Sequence, residues 1–75
     1  MDKKRRKIIQ KCYDDLQLIL SLLEEMQSIE ESCLENIPES FIDTDRYSNL
    51  EECCEHLESA ISSVEESISE LESIL

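Results

Sequence analysis

Apolar residues recur through residues 47–75 at alternating steps of three and four, without a break. The row consists of Tyr47, Leu50, Cys54, Leu57, Ile61, Val64, Ile68, Leu71 and Leu75. A mean spacing of about 3.5 residues is typical of a helix that packs along its whole length against another helix. Because the chain contains no glycine and a single proline, it favours long helices over sheets and tight hairpin turns.

A second apolar row near the N-terminus predicts another long helix. Its members are Ile9, Cys12, Leu16, Ile19, Leu23 and Met26, and the row resumes after Glu30 with Cys33 and Ile37. Between the two rows, Pro38 lacks a backbone donor and disfavours helical geometry in the residue before it. We therefore expect a single all-α domain. It consists of residues 1–75, with helix 1 at about 3–35, a connection at 36–45 and helix 2 at about 46–75.

The short connection lets the two helices fold back on each other as an antiparallel hairpin. In that hairpin we expect Lys11 to lie near the carboxylates of Glu70 and Glu72. We also expect three apolar side chains of the connection to fold back over the end of the helices, namely Ile37, Phe41 and Ile42.

Helix 1 carries more apolar side chains than one neighbouring helix can cover. Beside the row described above lies a second set of apolar residues, Leu18, Leu22, Met26 and Ile29. Soluble monomers rarely leave a contiguous apolar patch of this kind exposed. We therefore expect a homo-oligomer that forms through these residues, in which hairpins associate into a four-helix bundle or a higher oligomer.

The charges are divided between the start of the chain and the rest of it. Residues 1–11 hold six Lys or Arg side chains and one Asp, whereas residues 12–75 hold one Arg and eighteen acids. The basic cluster consists of Lys3, Lys4, Arg5, Arg6, Lys7 and Lys11. A dense group of cations attracts phosphate groups, so we predict that the cluster binds a phosphate-bearing small ligand. The alternative is a solvated helix start that has no partner.

Tyr13 follows the basic cluster and is the aromatic residue nearest to it. We expect its ring either to stack on the base of a bound nucleotide or to pack against helix 2. Duplex nucleic acid is disfavoured as a partner, because the acidic body of the protein repels the phosphate backbone.

Two other functions are compatible with the sequence. The Glu-rich helices form an acidic surface, which would act as a protein–protein inhibitor by occupying the basic site of a nucleic-acid-binding partner. The heptad rows are also typical of a structural coiled-coil adaptor.

No group of residues points to catalysis, to a metal or to a cofactor. His56 is the only histidine, and it lies three residues after Cys53, so the two could share a zinc ion. The chain has no second pair of ligands of the kind that zinc sites need. There is also no Gly-rich phosphate loop and no Ser–His–Asp framework. We therefore expect a non-enzymatic protein without a cofactor or metal. The sequence leaves the redox state of Cys33, Cys53 and Cys54 open.

The hydropathy pattern indicates a cytoplasmic protein. The longest apolar-rich stretch, residues 16–23, is interrupted by Gln17 and Ser21. It is far shorter than the ~20 residues that a membrane span requires. The basic start is not followed by the apolar core of a secretory signal.

Three segments resemble a family of small acidic proteins found among bacterial phage and prophage reading frames. They are Asn-Ile-Pro-Glu-Ser at 36–40, Asp-Arg-Tyr at 45–47 and Leu-Glu-Ser-Ala-Ile-Ser-Ser-Val-Glu-Glu-Ser-Ile at 57–68. The resemblance covers about residues 15–75 and implies a helical hairpin, a bacterial host and no catalytic residues. It also implies a phage accessory protein. We accordingly expect an anti-defence factor that sequesters a nucleotide signalling ligand through the basic cluster.

Overall fold

The computed structural model describes all residues from Met1 to Leu75, and the chain forms a helical hairpin without strands. Helix α1 spans Lys3–Glu35, a 3₁₀ turn spans Glu39–Phe41, and helix α2 spans Asp45–Ile74. The two long helices pack side by side in an extended body that measures 60 × 14 × 14 Å across its Cα atoms. The all-helical hairpin expected from the sequence is confirmed.

Each long helix begins at a side chain that caps its first turn. The Asp2 carboxylate accepts a hydrogen bond of 2.8 Å from the Arg5 backbone N–H. Thr44 Oγ1 accepts one of 3.4 Å from the Tyr47 N–H. These side chains satisfy backbone donors that have no partner within the helix. Between the helices, Pro38 cannot donate a helical hydrogen bond, and the chain reverses there.

The heptad row of α2 faces α1, as the sequence predicts. Two members of this row, Ile61 and Ile68, are the only buried residues of the chain, with 8% and 7% of their surfaces exposed. The half-buried members are Tyr47, Leu50, Cys54, Leu57, Val64 and Leu71, and the last member, Leu75, is exposed. The core is therefore one thin seam between two helices, and it buries little apolar surface for a chain of this length.

The row of α1 that faces α2 differs from the predicted row at every second position. The half-buried residues of α1 are Ile9, Tyr13, Leu16, Leu20, Leu23, Gln27, Glu30 and Leu34. The predicted members Cys12, Ile19, Met26 and Cys33 are exposed, so this part of the prediction was wrong. Leu16 belongs to both rows, and a helical row continues from it by either three or four residues. Because Ile19 and Leu20 are both apolar, spacing alone does not decide which of them faces α2.

At the open end of the hairpin, Tyr13 lies beside Glu72, and its hydroxyl donates a hydrogen bond of 2.7 Å to that carboxylate. Since α2 ends two residues after Glu72, the first turns of α1 extend beyond it, and residues 1–8 are all exposed. Lys11 does not pair with α2 as expected. Its Nζ lies 2.9 Å from Oδ2 of Asp15, which is its neighbour one turn along the same helix.

The connection leaves two of its apolar side chains open to solvent. Phe41 and Ile42 are both exposed, so the expected fold-back was wrong for these two side chains, whereas Ile37 is half-buried. The Phe41 N–H donates to the Pro38 carbonyl at 2.8 Å, and the Thr44 N–H donates to the Phe41 carbonyl at 3.2 Å. These hydrogen bonds hold the connection in a tight turn, and the side chains point outwards from it.

Candidate functional site

The basic cluster lies at the start of α1, largely on the turns that extend beyond α2. All six of its cations are exposed. Two of them are paired within the helix, since Arg5 Nε lies 3.4 Å from Asp2 Oδ2 and Lys11 contacts Asp15. No acid of α2 forms an ion pair with the cluster. The cations without an ion pair are Lys3, Lys4, Arg6 and Lys7.

Three lysines of the cluster line one shallow groove along α1. Lys4, Lys7 and Lys11 recur at steps of three and four, which places them on one side of the helix. The groove has a volume of about 490 Å³, and its other lining residues are Ile8, Gln10 and Asp14. Neighbours at this spacing have Cβ atoms about 5–6 Å apart, so a phosphate chain that lies along the helix can contact the adjacent pairs Lys4–Lys7 and Lys7–Lys11.

Lys11 forms an ion pair with Asp15, one turn along the same helix. The hydrogen bond from the Lys11 ammonium to the Asp15 carboxylate raises the pKa of Lys11, and the negative charge of Asp15 adds to the effect. Both side chains are exposed, so the pair contributes little to the stability of the fold. A lysine is protonated at physiological pH with or without such a partner, so the pair leaves the charge of Lys11 unchanged there.

Tyr13 packs against α2 instead of standing free beside the basic cluster. The hydrogen bond to Glu72 raises the pKa of the Tyr13 phenol, although a contact with Gln17 opposes this effect. Of the two expectations for this ring, packing against helix 2 is the one that the structure displays. Stacking on a nucleotide base stays a prediction.

We expect Tyr13 to ionise at a higher pH in the folded chain than in the unfolded chain. The Glu72 contact stabilises the fold below the unfolded pKa of the phenol, and this contribution is lost as the pH rises through the raised folded pKa. The test is spectrophotometric titration of the Tyr47→Phe variant in buffer and in concentrated urea, since Tyr13 is then the only tyrosine. Adding Glu72→Ala should lower the folded pKa, and an unchanged value would contradict the contact.

One side of α1 turns its apolar side chains to solvent. It carries Leu18, Ile19, Leu22, Met26 and Ile29, whose exposed fractions lie between 44% and 67%. Cys12 and Cys33 lie on the same side of the helix and are also exposed. We refer to these residues together as the apolar face. The predicted oligomer interface belongs to this face and is open in the single chain.

The cysteines are free, and their surroundings differ. Cys12, Cys33 and Cys53 are exposed, whereas Cys54 is half-buried in the heptad row of α2. Burial raises the pKa of the Cys54 thiol, and neighbouring thiols and acids add to the effect, which disfavours a reactive thiolate. No three side chains of the types His, Cys, Asp and Glu are grouped so as to hold a metal ion.

The sequence did not indicate a second groove, which lies at the loop end of the hairpin. It has a volume of about 670 Å³, and its lining residues are Cys33, Asn36, Ile37, Pro38, Phe41, Thr44 and Arg46. Two of its residues are unusual in the sequence, because Phe41 is the only phenylalanine and Arg46 is the only Lys or Arg beyond residue 11. Their convergence depends on the turn that follows Pro38, which spacing along the chain does not define.

No known protein family, curated protein or solved structure matches the chain. Neither α1 nor α2 combines the length and the apolar character that crossing a membrane requires. The surfaces described above are therefore the basis for a functional proposal.

Proposed function

We propose that this protein acts by non-enzymatic binding and that its basic cluster sequesters a phosphate-bearing ligand, of the type that a signalling nucleotide presents. The observation that carries the proposal is the groove at the start of α1, lined by Lys4, Lys7 and Lys11. All three lysines are exposed, and Lys4 and Lys7 have no ion pair within the chain. Hydrogen bonds between such cations and phosphate oxygens are charge-assisted and belong to the stronger class.

A compact ligand suits this surface better than a polymer does. The groove occupies only the first turns of α1, whereas residues 12–75 hold eighteen acids and one Arg. A long nucleic acid would pass these acids and be repelled by them. A di- or triphosphate is short enough to contact the lysines alone.

The triple variant Lys4→Gln, Lys7→Gln, Lys11→Gln is expected to bind inorganic tripolyphosphate at least about tenfold more weakly than the wild type. Hydrogen bonds to charged groups contribute roughly 1.5–3 kcal/mol each, and solvent exposure places these at the lower end. The measurement is isothermal titration calorimetry at low and at physiological salt, because screening weakens exposed phosphate contacts. A matched variant with arginine at the same positions keeps the charge and should retain binding.

Equal affinities of the glutamine and arginine variants for tripolyphosphate would overturn this proposal. Absence of binding by the wild type would overturn it as well. Either result would favour the second candidate function, in which the acidic surface occupies a basic partner.

The second candidate is favoured by the distribution of ion pairs. Both ion pairs of the chain lie between residues 2 and 15, so no acid of α2 takes part in an ion pair. Capture of a basic probe such as poly-lysine would then survive the lysine substitutions. It would be weakened when Glu51, Glu55 and Glu58 are changed to glutamine.

We also propose that the hairpins associate through the apolar face into a four-helix bundle. The support is the exposure of Leu18, Leu22, Met26 and Ile29 in a chain that buries only two residues. A single hairpin with so small a core is marginally stable, and association provides further burial. In the structural-adaptor alternative, a helix of another protein occupies the same face.

The setting that we propose is the bacterial cytoplasm during phage infection, with the protein as an anti-defence factor. The support for a phage setting is the resemblance of the loop and heptad segments. The support for the cytoplasm is the presence of free, exposed cysteines, which fit a reducing compartment.

A further inference from the structure

The apolar face of α1 has the spacing of a second coiled-coil seam. Steps of three and four connect Cys12, Asp15, Ile19, Leu22, Met26, Ile29 and Cys33. Each of these residues precedes a half-buried residue that faces α2, as Ile19 precedes Leu20. One residue corresponds to a rotation of about 100° around an α-helix, so the two seams occupy adjacent sides of α1. A helix in a four-helix bundle contacts its two neighbours with this geometry.

The start of α1 is basic, whereas its last turns and the connection that follows them are acidic. Residues 3–11 hold six cations and no acid, whereas residues 30–45 hold six acids and no Lys or Arg. We refer to residues 30–45 as the acidic end. Two copies of α1 packed in parallel would place like charges side by side at both ends. Antiparallel packing places each basic cluster beside the acidic end of the other copy, which is the complementary arrangement.

We propose that the apolar face packs against α1 of a second copy of this chain in the antiparallel direction. The proposal rests on the self-association proposed above and adds its direction and register. In the register that pairs the apolar side chains, Ile19 lies opposite Ile29 of the second copy, and Leu22 lies opposite Met26 of the second copy. This interface removes from water the side chains that one hairpin leaves exposed.

Antiparallel packing divides the basic cluster into two sets. Residues seven apart share one side of a coiled-coil helix. Lys4 and Lys11 are therefore on the row of Leu18, Arg5 is on the row of Ile19, and these cations point towards the acidic end of the second copy. The rows that lie further from the apolar face carry Lys3, Arg6 and Lys7. Lys4 and Lys11 can thus contact either a phosphate ligand or the second copy, whereas Lys7 contacts only the ligand.

Cysteine cross-linking tests the direction, because Cys12 and Cys33 are exposed near opposite ends of the apolar face. Two chains are prepared, one with Cys12 and one with Cys33 as its only cysteine. Serine replaces the other exposed cysteines, and alanine replaces the half-buried Cys54. The chains are mixed in equal amounts, and one of them carries a tag so that the products differ in mass. A short bis-maleimide is then added.

Antiparallel packing brings Cys12 close to Cys33 of the second copy, and the mixed cross-link should exceed each self-linked product at least tenfold. Two Cys12 residues would be about 36 Å apart along the helix axis in this register, at 1.5 Å per residue. Predominant self-linked products would overturn the antiparallel direction and leave self-association standing. Sedimentation of the native chain as a monomer at every concentration tested, without cross-links, would overturn both.

Discussion

The Ile61→Ala variant is expected to lose about 2–5 kcal/mol of the free energy of unfolding, the usual cost of truncating a buried isoleucine. Ile61 is one of the two buried residues of the chain, so few other contacts compensate for the cavity. A core of this size supplies roughly 3–5 kcal/mol of stability. The variant should therefore be largely unfolded at 37 °C. Urea titration followed by far-UV circular dichroism measures the loss.

Ile74→Ala is the matched control, because it makes the same chemical change on the same helix at a residue that is 43% exposed. Its cost should stay below about 1 kcal/mol. Both titrations are run at one protein concentration, since association changes the apparent stability. Equal urea midpoints for Ile61→Ala and Ile74→Ala would show that the seam between the helices is not the main source of stability.

The buried isoleucines lie in the half of the hairpin that is remote from the loop. In the loop half, the row of α1 that faces α2 contains Gln27 and Glu30, which are half-buried and polar. Polar side chains at these positions contribute little apolar burial. Ile61 and Ile68 lie further along α2, where the facing row of α1 is apolar, and this difference explains why burial is concentrated there.

The sequence predicted α2 better than α1 because α2 has one continuous apolar row and α1 has two. In α2, glutamates at residues 51, 58, 65 and 72 flank the row from Tyr47 to Leu75, so only one side of the helix is continuously apolar and can face α1. In α1, Ile19 and Leu20 belong to adjacent rows of similar apolar character. Which row meets α2 depends on the packing of both helices, and the periodicity of α1 alone does not contain that information.

The candidate site was predictable to the extent that it depends on local helix geometry. The groove lysines are visible in the sequence because Lys4, Lys7 and Lys11 follow helical spacing. The hydrogen bond from Tyr13 to Glu72 was not predictable, because it depends on the alignment of two helices that are far apart in sequence. The same reason applies to the groove at the loop end.

The Leu22→Glu variant is expected to raise the dissociation constant of the proposed dimer by about 10²- to 10⁴-fold. Leu22 is 61% exposed in the single chain, so the substitution leaves the packing of α1 on α2 in place. Two-fold symmetry repeats the change in both copies, and each copy loses roughly 1.5–3 kcal/mol of apolar burial. An unpaired carboxylate at the interface adds to this loss. Sedimentation velocity should show a shift towards the 8.8 kDa of one chain.

Ser28→Glu is the control, because it adds the same charge to α1 on a side away from both seams. It should leave the dissociation constant within about threefold of the wild type, and Leu22→Ala should give an intermediate value. Far-UV circular dichroism of the same samples separates dissociation from unfolding. If Leu22→Glu remains helical and sediments as the wild type does, the apolar face is not the interface and the antiparallel packing is wrong. The proposal of phosphate binding does not depend on that result, since a single copy of α1 forms the lysine groove.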